Sequence, residues 1–524
     1  MIRFGTPAPA VRGALARRAE APSDRVHGMG RVLPVVTARV AAGFVATVMS
    51  SSGCAQLAGI DNTNNAGLTD SVALTRMSVG TTVALAPLDL GGLQATYFVS
   101  SADAVTRVPA ATGATAGTWA AHLPDPVPVE ITLPDVSAPT PFLLAFPNKV
   151  LQVLYAVLEH PAPVPAPADA KISLTVPLDA PIGDGEAFEI FTVGSWTSRL
   201  IPSEELPMAA DLQISTTYTF DTSRSLSGRS QLDQLTEQDA FLILRHTGTA
   251  LTGLAEAPAF AQTGDDMVNA AAMTAVVRDQ MVVAAVDPAA LAMRYSAVKP
   301  AVTVGSLAMS WSLVAAPGYR IASNAGPVLE FGGLDMTDVG LSAMYGNPFA
   351  SRGWNTILTL ATQSSRVFTP AGTKTPVTLY AGMNQFLEPA AALELDLPAG
   401  LPKLISVDGV QLSADGQTIA QPSKFVEVTF TTDSPMATLY SVQVFDLVAN
   451  AAQTALDSRV VYNAAATEPR FDIPPEVFVS GHTYTLRAFS TLGGFPQIAA
   501  GDFTMRELPL SQAFLDSAVF TVTP

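Results

Sequence analysis

The sequence predicts an all-β fold made of tandem antiparallel β-sandwich domains. Hydrophobic residues make up 48% of the 524 and charged residues only 14%, which is enough apolar material for buried cores and argues against a disordered chain. The 37 glycines and 40 prolines follow no fixed period and separate short apolar segments, as is typical of short strands joined by turns. A chain of this length exceeds a single core, so about three domains are expected.

The net charge of the chain argues against some classes of binding partner. The formal charge is −17 and the pI is near 4.6, and the body of the sequence contains no basic stripe. Nucleic acids and anionic headgroups are bound through clustered Lys and Arg, so a nucleic-acid partner is not expected. The negative charge is interpreted as what keeps an apolar-rich surface soluble.

The single cysteine, Cys54, lies at the end of a segment with the features of a signal peptide. One cysteine excludes an intramolecular disulfide, a multi-cysteine zinc site and an iron–sulfur cluster. Arg31 and Arg39 precede a mostly apolar run over residues 40–49, which small residues connect to Cys54. This order of charged, apolar and small residues matches a signal peptide over 29–53. The apolar run is shorter than the roughly 20 residues that a membrane-spanning helix needs.

The residues around Cys54 resemble the lipobox of bacterial lipoproteins. Ser52 and Gly53 provide the small residues expected before the cysteine, whereas Ser51 departs from the family, which usually has an aliphatic residue there. The resemblance implies that the Cys54 thiol receives a diacylglyceryl group and that the leader is cut between Gly53 and Cys54. Stable membrane attachment needs more than one acyl chain, and the two chains of a diacylglyceryl group meet that requirement. The implied location is the cell envelope, at the periplasmic or surface face of the outer membrane.

Two flanking segments complete this interpretation of the amino terminus. Residues 1–28 are interpreted as an overextended start or as disordered, with translation expected to begin at Met29. Residues 54–69 are small and polar, and we expect a lipidated, flexible tether there.

Residues 70–198 are predicted to form the first β-sandwich domain. Alternation and apolar runs predict strands over 94–99, 127–133, 141–146, 150–158, 171–176 and 187–193. The proline-rich segment 161–167 predicts a stiff extended connector. The last two strands are expected to pair through the turn residues Gly183, Asp184 and Gly185.

Residues 199–398 are predicted to form a β-rich middle domain. Strands are expected over 216–220, 240–245, 302–314, 354–360 and 377–380. In 265–286 the apolar positions do not keep a helical period, which favours a buried strand over 281–285, although a partly helical segment stays an alternative.

Residues 399–524 show the clearest alternation. Val426, Val428 and Phe430 share one face, and the stretch 439–445 alternates in the same way. Residues 481–488 follow the Pro474–Pro475 corner and resemble the strand of a fibronectin type III domain in which a tyrosine precedes Leu-Arg-Ala. The tryptophan expected early in that family is missing. The resemblance implies an immunoglobulin-like two-sheet sandwich, which this alternation also favours.

The five histidines show no metal-ligand spacing. They are His27, His122, His160, His246 and His482, and H-E-x-x-H is absent. His246 ends a predicted strand and could act as the general base of a serine hydrolase, but no G-x-S-x-G motif accompanies it. We favour the alternative in which His246 caps a strand or bonds a loop carbonyl.

Acidic pairs and tryptophans were the other candidates for chemistry. Carboxylates that could hold Ca²⁺ or hydrolyse glycosides occur in polar loops as Asp184 with Glu186, Asp265 with Asp266, Asp335 with Asp338, and Asp408 with Asp415. Ordinary turn chemistry explains them, since no EF-hand pattern is present. Trp119, Trp196, Trp311 and Trp354 have no regular spacing, which favours core positions over sugar-binding platforms.

The sequence predicts a non-catalytic β-sandwich binding or structural module, anchored by lipid at the cell envelope. It assigns no catalytic, cofactor-binding or metal-binding residue, so no cofactor is expected. A carbohydrate-binding surface lipoprotein and a secreted hydrolase with an unrecognised site remain the alternatives. The expected partners are a membrane, through the anchor, and a protein or polysaccharide whose identity stays open.

Overall fold

A computed structural model describes the chain from Asp70 to Pro524 with gaps. The described residues are 70–79, 83–87, 94–100, 105–109, 111–112, 118–121, 129–133, 140–145, 150–157, 171–192, 197–202, 211–217, 241–258, 266–304, 307–317, 326–334, 340–371, 373, 375–449, 456–498 and 507–524. Cys54, Gly53, the predicted signal peptide and the predicted tether lie outside these residues.

Strands dominate the described chain, which confirms the all-β prediction. The first nine strands are β1 (Asp70–Val79), β2 (Val83–Pro87), β3 (Gln94–Ser100), β4 (Val105–Pro109), β5 (Ala111–Thr112), β6 (Thr118–Ala121), β7 (Val129–Leu133), β8 (Thr140–Ala145) and β9 (Val150–Val157). The next nine are β10 (Lys171–Pro177), β11 (Glu186–Thr192), β12 (Thr197–Pro202), β13 (Asp211–Thr217), β14 (Phe241–Thr247), β15 (Ala250–Ala257), β16 (Asp266–Asn269), β17 (Thr274–Ala275) and β18 (Gln280–Val286).

One α-helix and sixteen further strands follow. They are α1 (Pro288–Ser296), β19 (Ala308–Pro317), β20 (Gly326–Leu334), β21 (Gly340–Tyr345), β22 (Trp354–Phe368), β23 (Val377–Leu387), β24 (Leu393–Leu395), β25 (Pro402–Val407), β26 (Val410–Gln411), β27 (Gln417–Ala420), β28 (Val426–Thr432), β29 (Leu439–Ala449), β30 (Leu456–Ala466), β31 (Arg470–Ile473), β32 (Thr483–Gly493), β33 (Leu510–Asp516) and β34 (Phe520–Thr523). Short 3₁₀ turns occupy Ala350–Arg352 and Pro475–Val477.

A continuous network of strand pairing, which we call the central sheet, runs through the described chain. Its pairs connect β12, β11, β14, β15, β20, β19, β22, β23, β33, β32, β29, β30, β8, β7, β3 and β4 in that order. Hydrogen-bonded pairs therefore cross both expected domain limits, between β11 and β14 and between β23 and β33. The tandem order of the sandwiches and the domain limits stay predictions.

Three smaller sheets cover parts of the central sheet and enclose separate apolar cores. The sheet β13–β10–β16 supplies Leu174 and Val176, which pack against Phe188 and Ile243 of the central sheet. The sheet β21–β18–β24 and α1 close a second core around Trp311. The sheet β26–β25–β28–β31 covers the carboxyl-terminal strands in a third core.

The third core shows why the alternating pattern predicts a sandwich. Val426, Val428 and Phe430 are buried while the residues between them are partly exposed. They face Val442 and Val444 of the central sheet in the same cluster. Period-two burial confirms the predicted alternation over 426–430. The strand β29 is instead buried on both faces, because its Val442 and Val444 enter the third core while Leu439 lies in the second.

Tyr484 fixes the corner that leads into β32. Its hydroxyl accepts a 2.8 Å hydrogen bond from the backbone N–H of Val479, and its ring lies 5.5 Å from that of Phe478. In sandwich domains of this kind a tyrosine at the start of the strand bonds back to the preceding loop. The hydrogen bond of Tyr484 therefore fastens this loop to the start of β32.

Several strand predictions are corrected by the structure. The strands expected over 171–176 and 187–193 form, but they do not pair: β10 bonds β13 and β16, whereas β11 bonds β12 and β14. The strand expected over 216–220 is instead β13. The buried strand expected over 281–285 is β18, in which Met281 and Ala285 are exposed.

The helix α1 follows the ambiguous segment and was missed. Asp287 caps it by accepting hydrogen bonds from the N–H groups of Ala289 and Ala290 at 2.8 and 3.3 Å. Pro288 occupies the first turn, where the missing N–H of proline costs nothing. This Asp-Pro pair was a signal in the sequence that could have located the helix.

Candidate functional site

His246, the predicted candidate for a general base, is bound to a buried carboxylate. Its Nε2 lies 3.3 Å from Oε2 of Glu189, whose side chain is 2% exposed. The two residues sit on neighbouring strands, β14 and β11. The contact links two strands of the central sheet, so the partner of His246 is a carboxylate rather than the loop carbonyl of the favoured interpretation.

His482 is a surface residue with a carboxylate beside it. Its Nδ1 is 3.1 Å from Oδ2 of Asp446, and its ring stacks near Tyr484 at 6.3 Å between centroids. Its side chain is 48% exposed. His27, His122 and His160 lie outside the described residues.

Asp408 and Asp415, which were considered as an acidic pair, bind different partners in the structure. Asp408 accepts a hydrogen bond of 2.8 Å from the N–H of Glu427. Asp415 accepts one of 2.8 Å from the N–H of Val519 and binds Arg366. Asp265, Asp335 and Asp338 lie outside the described residues, and within the described ranges no group of three metal-ligating side chains comes together.

Glu186 belongs to a cluster centred on Arg245, whose guanidinium binds Glu186 at the start of β11 and several groups of the loop between β10 and β11. The guanidinium contacts Glu186 at 2.8 Å and Asp179 at 2.9 Å, and it donates to the Pro181 carbonyl at 2.9 Å. Burial opposes ionisation of Glu186, but the hydrogen bonds from Arg245 and from the N–H of Gly183 hold its pKa below the usual range. Arg245 therefore fastens the loop between β10 and β11 to β14.

Every charged side chain that is buried in the described part of the chain lies beside an arginine, a carboxylate or a histidine. The pairs are Arg245 with Glu186, Glu189 with His246, Arg366 with Asp415, Asp446 with His482, and Arg487 with Asp516. Buried charges need such partners because the low dielectric of the interior penalises isolated ones.

Arg487 and Asp516 form the most deeply buried of these pairs. They face each other across β32 and β33, with Nη2 of Arg487 2.7 Å from Oδ2 of Asp516. The guanidinium lies 5.3 Å from the ring centroids of both Phe445 and Phe514. Asp516 also accepts from the N–H of Tyr380 at 2.7 Å, so the pair joins β32, β33 and β23 in one register.

A cleft of about 580 Å³ is the candidate binding site. It lies between the β15–β17 edge and the start of β18, where the first and second apolar cores meet. Apolar and polar atoms contribute nearly equally to its surface. The lining residues are Leu254, Ala255, Ala271, Ala272, Ala275, Val276, Val277 and Pro348 with Glu256, Thr274, Asp279, Gln280 and Asn347. Its volume falls within the range of small-molecule sites.

One wall of the cleft is fixed by the burial of Met273. The N–H of Met273 donates to the Pro177 carbonyl at 2.8 Å and its side chain is buried. Gly253 leaves room for that side chain, because a Cβ there would lie 2.6 Å from the Met273 sulfur. The neighbouring Thr274 and Ala275 are consequently exposed.

The opposite wall is held by the loop that follows β21. Asn347 donates to the Trp354 carbonyl at 2.8 Å and accepts from the N–H of Phe349 at 3.0 Å. Arg352 reaches across to Glu256 at 2.5 Å. Hydrogen bonds and an ion pair thus hold both walls of the cleft in place.

The two tryptophans with described side chains belong to the core. Trp311 and Trp354 are 0% and 2% exposed, and Trp354 stacks on Phe349 at 5.2 Å. The expectation that they are core residues is confirmed. Trp119 lies in β6, and Trp196 is outside the described residues.

Comparison of the sequence with protein-family models found no match, and comparison with curated proteins found none either. Within the described ranges, no helix has both the length and the apolar character needed to cross a bilayer. The arrangement of the paired buried charges and of the cleft is therefore what bears on function.

Proposed function

We propose that this chain is an exported, lipid-anchored, non-catalytic β-sandwich protein of the cell envelope, acting as a binding or structural module. The ion pairs of the three buried arginines with Glu186, Asp415 and Asp516 carry the non-catalytic half of this proposal. Enzymes tune acids and bases through strongly perturbed titratable groups in a cleft. Here the buried charges hold strands and loops together instead.

The cleft supports a binding role within this proposal. Its aliphatic side chains would contact an apolar group of a ligand. The side chains of Thr274, Asp279 and Gln280 have no described hydrogen-bond partner and could bind polar groups of the same ligand. Polar groups beside an apolar wall can orient a small ligand as well as hold it. The cleft lacks aromatic side chains, so it offers no stacking surface of the kind that sugar recognition uses.

The similarity of residues 402–524 to fibronectin type III domains belongs to the same proposal. The hydrogen bond between Tyr484 and Val479 supports it, because domains of this architecture use a tyrosine in this way. Such domains serve as spacers and as binding modules, which fits the role proposed for the chain.

The anchor at Cys54 is the part of the proposal that an experiment can test directly. A diacylglyceryl group buries many methylenes, each worth about 0.8 kcal/mol, so removal of the sulfur should release the protein. We expect Cys54→Ser to move the chain from the membrane fraction to the soluble fraction of the native host. Labelled fatty acid should appear in the parent and not in the variant.

Ser51→Leu is the matched control, because it places the usual aliphatic residue before the cleavage site without touching Cys54. We expect it to raise the processed fraction and to keep the label. A Cys54→Ser chain that still sediments with membranes, or that still carries the label, would contradict the anchor.

A further inference from the structure

The polar side chains that line the cleft beside β17 are of two kinds. Some are already bound within the protein: Asn347 by backbone groups of its own loop, and Glu256 by an arginine. The others line the cleft without a described hydrogen-bond partner, and they are Thr274, Asp279 and Gln280. A ligand in the cleft would therefore meet a carboxylate, a hydroxyl and an amide that no described residue binds.

The cleft is negatively charged. Among its described lining residues two are acidic, Glu256 and Asp279, and none is basic. Arg352 offsets the charge of Glu256 at 2.5 Å, whereas no described ion pair offsets that of Asp279, which is exposed. Arg278 precedes Asp279 but does not line the cleft. Since the whole chain also carries −17, the site attracts cations and repels anions.

We propose that this cleft binds a small aliphatic amine in its protonated form, with the ammonium group at Asp279 and the chain against the apolar side chains. The aliphatic surface is supplied by Leu254, Val276 and Val277, and the volume of about 580 Å³ is sufficient for such a ligand. The inference rests on the binding role proposed for the cleft and adds the chemical class of the ligand.

A primary ammonium group suits the available acceptors better than a quaternary one. It carries three N–H donors, and the Asp279 carboxylate, the Thr274 hydroxyl and the Gln280 side-chain carbonyl can all accept. A quaternary ammonium group has no N–H to donate and is recognised by aromatic rings. The described lining of the cleft contains no aromatic side chain, so it favours the primary amine.

Three probes of similar length separate the charge of the ligand from its apolar contacts: hexylamine, hexanol and hexanoate. In ligand-observed NMR titrations of the full chain with Cys54→Ser, we expect hexylamine to bind most tightly and hexanoate least. Asp279→Asn should weaken hexylamine binding about tenfold, because the ammonium group loses a charged hydrogen-bond acceptor. Hexanol binding should stay unchanged in this variant.

Two further variants control for the general attraction between an amine and an acidic protein. Glu468→Gln removes an exposed carboxylate between β30 and β31, away from the cleft, and should bind hexylamine as the parent does. Glu256→Gln leaves Arg352 without its partner beside the cleft. It should therefore bind hexanoate more tightly than the parent.

The outcomes distinguish the ligand class from the binding role. If the parent bound hexanol as tightly as hexylamine, or if Asp279→Asn and Glu468→Gln weakened hexylamine equally, the assignment of an amine would be wrong while the cleft would still be a binding site. If none of the three probes bound, the binding role of the cleft would be contradicted as well.

Discussion

At the residue scale, the interior of this protein is organised by paired charges. Arg487 and Asp516 lie in the middle of the central sheet, only 7% and 2% exposed. A buried pair contributes little net stability, but loss of one partner leaves a charge without compensation. The pair is therefore expected to fix the register of β32 against β33 more than to raise stability.

Substitution of Arg487 tests this expectation. Arg487→Met should lower the free energy of unfolding by about 3–5 kcal/mol, because it leaves Asp516 buried and unpaired. Chemical denaturation measures the change. The double variant Arg487→Met with Asp516→Leu should recover most of it, whereas a loss equal to the sum of both single variants would contradict the argument.

Arg470 provides the matched exposed pair. It contacts Glu427 at 2.6 Å, with side chains 63% and 40% exposed. Surface pairs contribute about 0–1 kcal/mol. Arg470→Met should therefore leave the unfolding midpoint nearly unchanged.

The lowered pKa of Glu186 predicts a pH dependence of stability. A carboxylate with a folded pKa below its unfolded value stabilises the fold fully above the unfolded pKa, which is about 4.3 for glutamate. That contribution is lost as the pH falls through the folded pKa. Glu186→Gln should consequently be less stable than the parent at pH 7, and the difference should shrink below about pH 4.

Denaturation at several pH values measures this difference. Asp184→Asn is the control, since Asp184 is an exposed neighbour in the same loop with no described partner. It should follow the parent at every pH. If the free energy of unfolding of Glu186→Gln changed with pH in parallel with that of the parent, the assigned role of the contact with Arg245 would be contradicted.

At the element scale, the helix α1 depends on its cap and on its buried face. Leu291 and Tyr295 pack into the second core, and the Tyr295 hydroxyl lies 2.9 Å from that of Thr362. A helix of nine residues is too short to be stable by itself. Its cap and its packing are therefore both needed.

Asp287→Ala should lower the free energy of unfolding by about 1 kcal/mol, because two N–H groups at the helix start lose their acceptor. Asp287→Asn keeps an oxygen acceptor and serves as the control, with a smaller loss expected. Equal losses for both variants in chemical denaturation would show that the cap is not what stabilises α1.

The sequence predicted fewer than half of the described strands, and it did not predict their pairing. The sequence located β3 and β28 to within about two residues, and it located the start of β29 but not its last four residues. In β28, burial on one face leaves a period-two pattern. The same pattern carries no information about which strand lies next to which. The glycine turn between β10 and β11 therefore suggested a hairpin, whereas each strand pairs in a different sheet.

At the scale of the whole molecule, one arginine at the end of α1 connects two of the cores. Arg294 binds Asp433 at 2.6 Å and donates to the carbonyls of Leu397 and Ala399, both at 2.5 Å. Asp433 also accepts from the N–H of Leu401 at 2.7 Å. Together with the pairing of β23 and β33, this network fastens the second core to the third.

The sequence alone determined the all-β class and the burial of Trp311 and Trp354, because composition and periodicity are local properties of the chain. It also carries the lipobox resemblance at Cys54. Only the tertiary structure decided that Glu189 binds His246, that Arg487 binds Asp516 and that a cleft opens beside β17. These contacts join residues distant in the sequence, and a charged residue by itself does not show which partner the fold will bring to it.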